Sequence, residues 1–149
     1  MEALYPYDGV SMCNSTAIRQ AARHMARFYD SCLAEVGLRG AQYTMLLYLS
    51  RTSGVSVNQL AEVMVMDRTT IAHAMKPLER DGLVTIEVNP RDKRGRVIEL
   101  TKDGKKRVKA GYAAWEKAQA LFEDKFGTEK ARAMRQTMAD VVSMELLVG

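Results

Sequence analysis

The sequence predicts a mainly α-helical fold with one small β-hairpin (α+β), and three observations carry the prediction. Apolar residues recur at helical spacing over most of the chain. Two short runs, Leu83–Val88 and Arg96–Leu100, alternate apolar and polar residues around the turn sequence Asn89–Gly95. Just before that hairpin lie two short helical segments with a brief break between them. A chain of 149 residues can bury one good-sized core, so residues 1–149 read as a single domain. With 47% hydrophobic and 27% charged residues, it has neither the polarity of a disordered chain nor the bias of a fibrous one.

Each element has a local cause. From Met12 to Val36, apolar side chains fall at Ile18, Ala21, Ala22, Met25, Phe28, Tyr29, Cys32 and Val36, with Arg19, Arg23 and Arg27 elsewhere on the cylinder. This is one long amphipathic helix, closed by Gly37. A second helix runs from Gly40 to about Arg51 on Tyr43, Leu46, Leu47 and Ser50, then breaks at Thr52-Ser53-Gly54. Ser56 and Gln59 have the form of a capping box and start a short helix over Val57 to about Met64. Asp67 is a good N-cap for the next helix, which turns Ile71, Ala74, Met75 and Leu78 toward a core and stops at Gly82. Pro77 removes one backbone hydrogen bond there and predicts a bend. After the hairpin, Thr101-Lys-Asp-Gly104 opens a helix to about Phe126, with Val108, Tyr112, Trp115, Ala118 and Phe122 spaced for burial. Gly127 breaks it. A last helix, from about Thr128 to Leu147, carries Ala131, Met134, Met138, Val141 and Val142.

Short helix, turn, second helix and hairpin is the order of a winged helix-turn-helix, whose second helix enters the DNA major groove. Such a helix needs an apolar face to dock on the body and outward residues that hydrogen-bond. Arg68, Thr69, Thr70, His73 and Lys76 supply the outward set: Arg68 or Lys76 for guanine O6 and N7, the threonines for phosphates or a thymine methyl, His73 for either. Ser56 and Asn58, at the start of the preceding helix, join the candidate contacts. The hairpin tip places Arg94 to enter a minor groove, with Asp92 two residues away to hold its guanidinium and Arg96 beside it. Charge supports the same partner. Residues 91–109 hold nine basic and three acidic side chains, a net +6 in a chain of net +4, so the rest is slightly acidic.

Several runs resemble the multiple antibiotic resistance regulator (MarR) family: Gly37-Leu-Arg-Gly-Ala-Gln-Tyr43, Leu60-Ala61, Asp67-Arg-Thr-Thr70, Pro77-Leu-Glu-Arg-Asp-Gly-Leu-Val84 and Asp92-Lys-Arg-Gly-Arg-Val-Ile-Glu-Leu-Thr-Lys-Asp-Gly104. The resemblance covers about Met12 to the C-terminus. It implies a winged helix-turn-helix lobe over 38–100 plus an intertwined helical dimerisation region over 12–37 and 101–149. It also implies a homodimer bound to a pseudo-palindromic operator on double-stranded DNA, usually as a repressor of nearby genes. Dimerisation has a reason in the residues too, since the stripes of the first helix and the last two expose more apolar surface than one small lobe covers.

The same resemblance implies a small aromatic or acyl-CoA-like effector between the two regions, for which Arg23, His24, Tyr29, Tyr43 and Trp115 are the candidate lining. Cys13, near the start of the first helix, is placed for a lowered thiol pKa and is similar to the sensing thiol of the family's peroxide-responsive branch. Thiol-based redox sensing through Cys13 is therefore an alternative trigger. A winged helix used only for protein contacts is an alternative to DNA binding.

Other classes are excluded as expectations. Cys13 and Cys32, 19 positions apart or roughly 28 Å along one helix, cannot pair, and no zinc-ligand spacing accompanies them. No nucleophile-and-base set or phosphate loop appears, so no enzyme activity, cofactor or metal is expected. No apolar run suits a membrane span and the first residues do not form an export signal, which places the expected location in the cytoplasm.

Overall fold

A computed structural model describes residues 9–147 of the chain. The helices are α1 (Asn14–Leu33), α2 (Gly40–Ser50), α3 (Val57–Met64), α4 (Arg68–Arg80), α5 (Lys102–Phe126) and α6 (Thr128–Ser143). The strands are β1 (Val55–Ser56), β2 (Val84–Asn89) and β3 (Asp92–Leu100). They form one antiparallel sheet in the order β1-β3-β2, with Val55 opposite Ile98 and Val84 opposite Leu100. The predicted hairpin thus gains a third strand, β1, whose two residues are too few to show any alternation.

The chain divides into two compact units, one ending at Trp115 and a second beginning at Glu116, so α5 runs through the division. The first unit holds one hydrophobic core. Leu33, Leu38, Leu46, Leu60, Ile71, Met75, Leu78, Leu83 and Ile98 are all 3% exposed or less, and each fully buried aliphatic contributes about 1.5–3 kcal/mol. Every segment from the end of α1 to the first half of α5 gives a residue to it. On the part of α5 up to Trp115 the buried positions are Gly104, Val108, Gly111 and Ala114, with Ala118 buried beyond it, whereas Tyr112, expected inside, is 50% exposed. The reason is close approach: a Cβ on Gly111 would lie 2.7 Å from the Tyr43 ring, so small residues face α2 and the large one turns outward. On α1 the predicted stripe is mostly exposed or half-buried, and Leu33, just outside it, is the residue that reaches the core.

In the second unit, α6 follows α5 through Gly127, which has a positive φ of 98°. Ala131 is fully buried, Phe122 and Phe126 stack at 5.0 Å, Lys130 Nζ sits 4.5 Å over the Phe126 ring, and Arg135 pairs with Glu123 at 2.9 Å. Helix α6 ends at Ser143, four residues before the expected Leu147, where Met144 turns to extended backbone.

Three helices close with the same pair of hydrogen bonds. A left-handed residue donates to the carbonyl three back, and the apolar residue after it donates to the carbonyl five back. At Gly37-Leu38 and Gly82-Leu83 the left-handed residue is glycine. At the end of α3 it is Val65, with φ 54° and ψ 46°. A β-branched residue there carries strain of about 1–2 kcal/mol, tolerated because Met66 N–H bonds the Ala61 carbonyl at 2.9 Å and fixes the turn into α4. Val65 is 68% exposed and packs little. Val65→Gly therefore stabilises the protein by about 0.5–1 kcal/mol, read as a higher urea midpoint at unchanged slope; a lower midpoint would show that the valine side chain is needed.

Candidate nucleic-acid interface

Helix α4 presents the expected outward set. Ile71, Met75 and Leu78 are buried, while Arg68, Thr69, Thr70, His73 and Lys76 are exposed on the other side. Pro77 does not interrupt the helix, whose end is fixed by Asp81 N–H donating to the Pro77 carbonyl at 3.0 Å. At the N-terminus, Asp67 Oδ1 accepts the Thr70 N–H at 2.7 Å and Asp67 Oδ2 accepts the Thr70 hydroxyl at 2.9 Å. Those two hydrogen bonds, backbone first, hold the Asp67 carboxyl below the usual carboxylate range. The cap's stabilisation is therefore complete above the ordinary aspartate pKa and is lost as pH falls through the lowered one.

Helix α3 starts on a full capping box: Ser56 Oγ accepts the Gln59 N–H at 3.0 Å, and Gln59 Oε1 accepts the Ser56 N–H at 2.9 Å. Asn58 is exposed one residue into the helix. Ser56 and Gln59 also border a cavity of about 620 Å³ walled by Glu87, Asn89, Arg91 and Glu99 of the hairpin. Sequence reasoning did not anticipate this concavity, because β1 is what brings the start of α3 against the sheet.

The hairpin departs from expectation at its tip. The turn is Pro90-Arg91, and β3 begins at Asp92 rather than at Arg96. Asn89 pairs with Asp92 but Val88 pairs with Arg96, so Lys93, Arg94 and Gly95 bulge out of the ladder without partners on β2. Arg94 thus leaves the strand in a bulge instead of at the apex, and Arg91 takes the apex. The signal for Arg91 was the Asn-Pro pair, which sets a tight turn earlier than a seven-residue loop reading allows.

The predicted pairing of Asp92 with Arg94 is present. Asp92 Oδ1 accepts both the Arg94 N–H at 3.1 Å and Nε at 3.4 Å. The Arg94 side chain is 92% exposed, with both terminal nitrogens beyond that clamp. Arg96 instead folds back, its Nη1 donating to the Gly95 carbonyl at 3.2 Å. Along the first turns of α5, Lys102, Lys105, Lys106 and Lys109 are exposed, and among the described residues none of them is in an ion pair. The basic stretch is left largely uncompensated.

The candidate effector residues are only partly assembled. Tyr43 is 2% exposed and Trp115 packs against the same core, its ring 5.7 Å from Tyr112. Tyr29 is half-buried beside Gly40, and Arg23 and His24 are exposed on α1. The Tyr43 hydroxyl is buried with no hydrogen-bond partner, and its burial, then the proximity of Tyr112, pushes its pKa up. Cys13 is the N-cap of α1. Its Sγ accepts the Thr16 N–H at 3.5 Å, and bonds from Thr16 hold the thiol below its ordinary pKa.

Comparison with known proteins agrees with this geometry. The MarR family profile matches residues 36–95. The organic hydroperoxide resistance transcriptional regulator of Bacillus subtilis is 30% identical over 84 residues, 56% of this chain and 57% of its own length. The chain spans only about half the length of the curated relatives it matches first, 57% and 41%. The M. tuberculosis transcriptional regulator MosR, solved in complex with DNA, superposes with a TM-score of 0.79 at 28% identity, over 87% of this chain and 93% of that one. CouR from Rhodococcus jostii RHA1, solved with p-coumaroyl-CoA, shares the fold at a TM-score of 0.76 and 19% identity, over 92% and 96% of the two chains. From the wing and its preceding helices through the long α5, fold and sequence point one way: the chain has the winged helix-turn-helix fold of these transcriptional regulators, and its residues 36–95 are similar to the MarR family.

Proposed function

We propose that the protein is a sequence-specific DNA-binding transcription regulator, not an enzyme, that acts in the cytoplasm as a homodimer on a pseudo-palindromic operator. The observation that carries this is Arg94, held outward by Asp92 on the same unit as the exposed polar face of α4. In this reading residues 38–100 bind DNA, with Ser56, Asn58, Arg68, Thr69, Thr70, His73, Lys76, Asp92, Arg94 and Arg96 as contacts. Residues 12–37 and 101–149 pair with a second copy. Exposed apolar side chains support the pairing: Ile18, Tyr112, Leu121, Val142, Leu146 and Leu147 are 39–94% exposed, more than a free surface ordinarily shows. Two-fold symmetry then sets half-sites about 10 bp apart. Selection from a random duplex library tests the reading. An enriched palindrome bound more weakly as salt rises supports it, whereas no enrichment by a folded protein favours a module for protein contacts.

For the trigger, the buried, unpartnered Tyr43 hydroxyl, in the core against which Trp115 also packs, supports a small aromatic or acyl-CoA-like effector that supplies the missing hydrogen bond and releases the operator. A repressor relieved by such a ligand is the simplest regulatory form. Redox release through Cys13 is a second reading, favoured by the thiol's place at the helix cap and its lowered pKa. A hydroperoxide would oxidise the thiolate to sulfenic acid and be reduced to the alcohol. Peroxide then weakens operator binding by the wild type and leaves Cys13→Ser unaffected; wild-type binding that survives peroxide removes this reading.

A further inference from the structure

We infer that Thr70 is a specificity-determining hydrogen-bond acceptor, which selects an amino-bearing base (adenine or cytosine) over a keto-bearing one (guanine or thymine) at one position of each half-site. The inference rests on the DNA-binding reading and deepens it at one side chain.

The reasoning is one of hydrogen-bond polarity. An ionised carboxylate carries no hydrogen, so the contact between Asp67 Oδ2 and Thr70 Oγ1 at 2.9 Å can only be made by the hydroxyl hydrogen pointing at Asp67. The same carboxylate takes the Thr70 backbone N–H at 2.7 Å through its other oxygen, so both groups of Thr70 are held by one partner and the side chain cannot rotate freely. The lowered pKa of Asp67 keeps it ionised at neutral pH. What Thr70 offers outward is therefore lone pairs alone. Phosphate oxygens, guanine O6 and N7 and thymine O4 are all acceptors and gain nothing from it, whereas adenine N6 and cytosine N4 are donors in the major groove.

The neighbouring hydroxyls are not restricted in this way. Ser56 Oγ accepts from the Gln59 N–H and keeps its own hydrogen for a phosphate, and Thr69, exposed beside Thr70, makes no side-chain hydrogen bond among the described residues. At position 70 hydroxyl donation to a phosphate is removed, and the hydrogen bond left to that hydroxyl at a base edge is an accepted one.

Asp67→Asn lifts that restriction while keeping an equally good N-cap. The amide oxygen takes the Thr70 N–H, which only an acceptor can do. The amide NH2 then faces Thr70 Oγ1 and donates to it, so the hydroxyl hydrogen swings outward beside the one remaining lone pair. Random-duplex selection with the full chain as wild type, Asp67→Asn and Thr70→Val is the test, with thermal melts to show that all three fold. The expected result is a preference for A or C over G or T of about five- to tenfold at one half-site position in the wild type. Asp67→Asn relaxes it, because the hydroxyl can then also donate to G or T, Thr70→Val erases it, and other positions stay as they were. Identical preferences in all three proteins would overturn the role of Thr70 and leave DNA binding intact. Failure of all three to enrich any sequence defeats DNA binding itself and this inference with it.

Discussion

Replacing Arg94 by alanine lowers operator affinity roughly ten- to hundredfold, because a charge-assisted hydrogen bond to nucleic acid is worth about 1.5–3 kcal/mol. Two features of the wing set this magnitude. The bulge of Lys93, Arg94 and Gly95 frees Arg94 from the strand ladder, and Asp92 holds its Nε, so the terminal nitrogens are pointed outward before DNA arrives. Part of the side chain's ordering entropy is then already lost before binding. Asp92→Ala keeps the charge and loses the orientation, so its effect is smaller, less than about tenfold. Fluorescence anisotropy on the selected duplex, repeated from about 50 to 200 mM salt, separates charge from shape: the log–log slope falls by about 0.9 if Arg94 meets one phosphate and changes less if it reads a groove. An unchanged affinity for Arg94→Ala would remove the wing from the interface.

Gly104→Ala destabilises the fold by about 3 kcal/mol, although alanine is the better helix former by about 1 kcal/mol. The added Cβ would collide with the Leu83 carbonyl oxygen and stand 2.5 Å from Leu100 Cδ1. The carbonyl cannot move cheaply. The Leu83 carbonyl accepts the Thr101 N–H at 3.1 Å, and the Thr101 hydroxyl donates to the Gly82 carbonyl at 2.7 Å while accepting the Gly104 N–H at 3.0 Å. To make room, the first turn of α5 has to slide off the junction of α4 and β2, and that knot of bonds opens. A thermal melt at fixed protein concentration reads the change as a drop of roughly 6–12 °C. A melting temperature within about a degree of wild type would show that α5 does not sit on this junction.

Much of the fold was legible because its signals are short-ranged. Ser56 and Gln59 complete their capping box within one turn, and Asp67 completes its cap on Thr70, so α3 and α4 begin where the residues say. The Asp92–Arg94 pair is equally local. At the candidate interface, the outward face of α4 followed from helical spacing alone, whereas the bulge that carries Arg94 did not. Its position depends on which β3 residue finds which β2 residue, and the shift between Val88 and Asn89 is settled by the whole ladder. The end of α3 was hard for a different reason: the expected glycine is replaced by Val65, so nothing in the residue type announces a left-handed turn.

The sequence by itself determined the order of the elements, the caps that start α3 and α4, the basic charge from Arg91 to Lys109, and the resemblance to a known family. Each depends on residues within a few positions of one another or on composition, where local chemistry suffices. The tertiary structure decided the third strand, the cavity between α3 and the hairpin, the small face of α5 and the burial of Leu33. A two-residue strand such as Val55–Ser56 has no pattern of its own and exists only because Ile98 and Val97 offer it a ladder. Gly104 and Gly111 look like weak points in a helix until Leu83 and Tyr43 are seen to occupy the space their side chains would need. Long-range packing is what gives such residues their meaning, since the free energy lies in the neighbour and not in the residue itself.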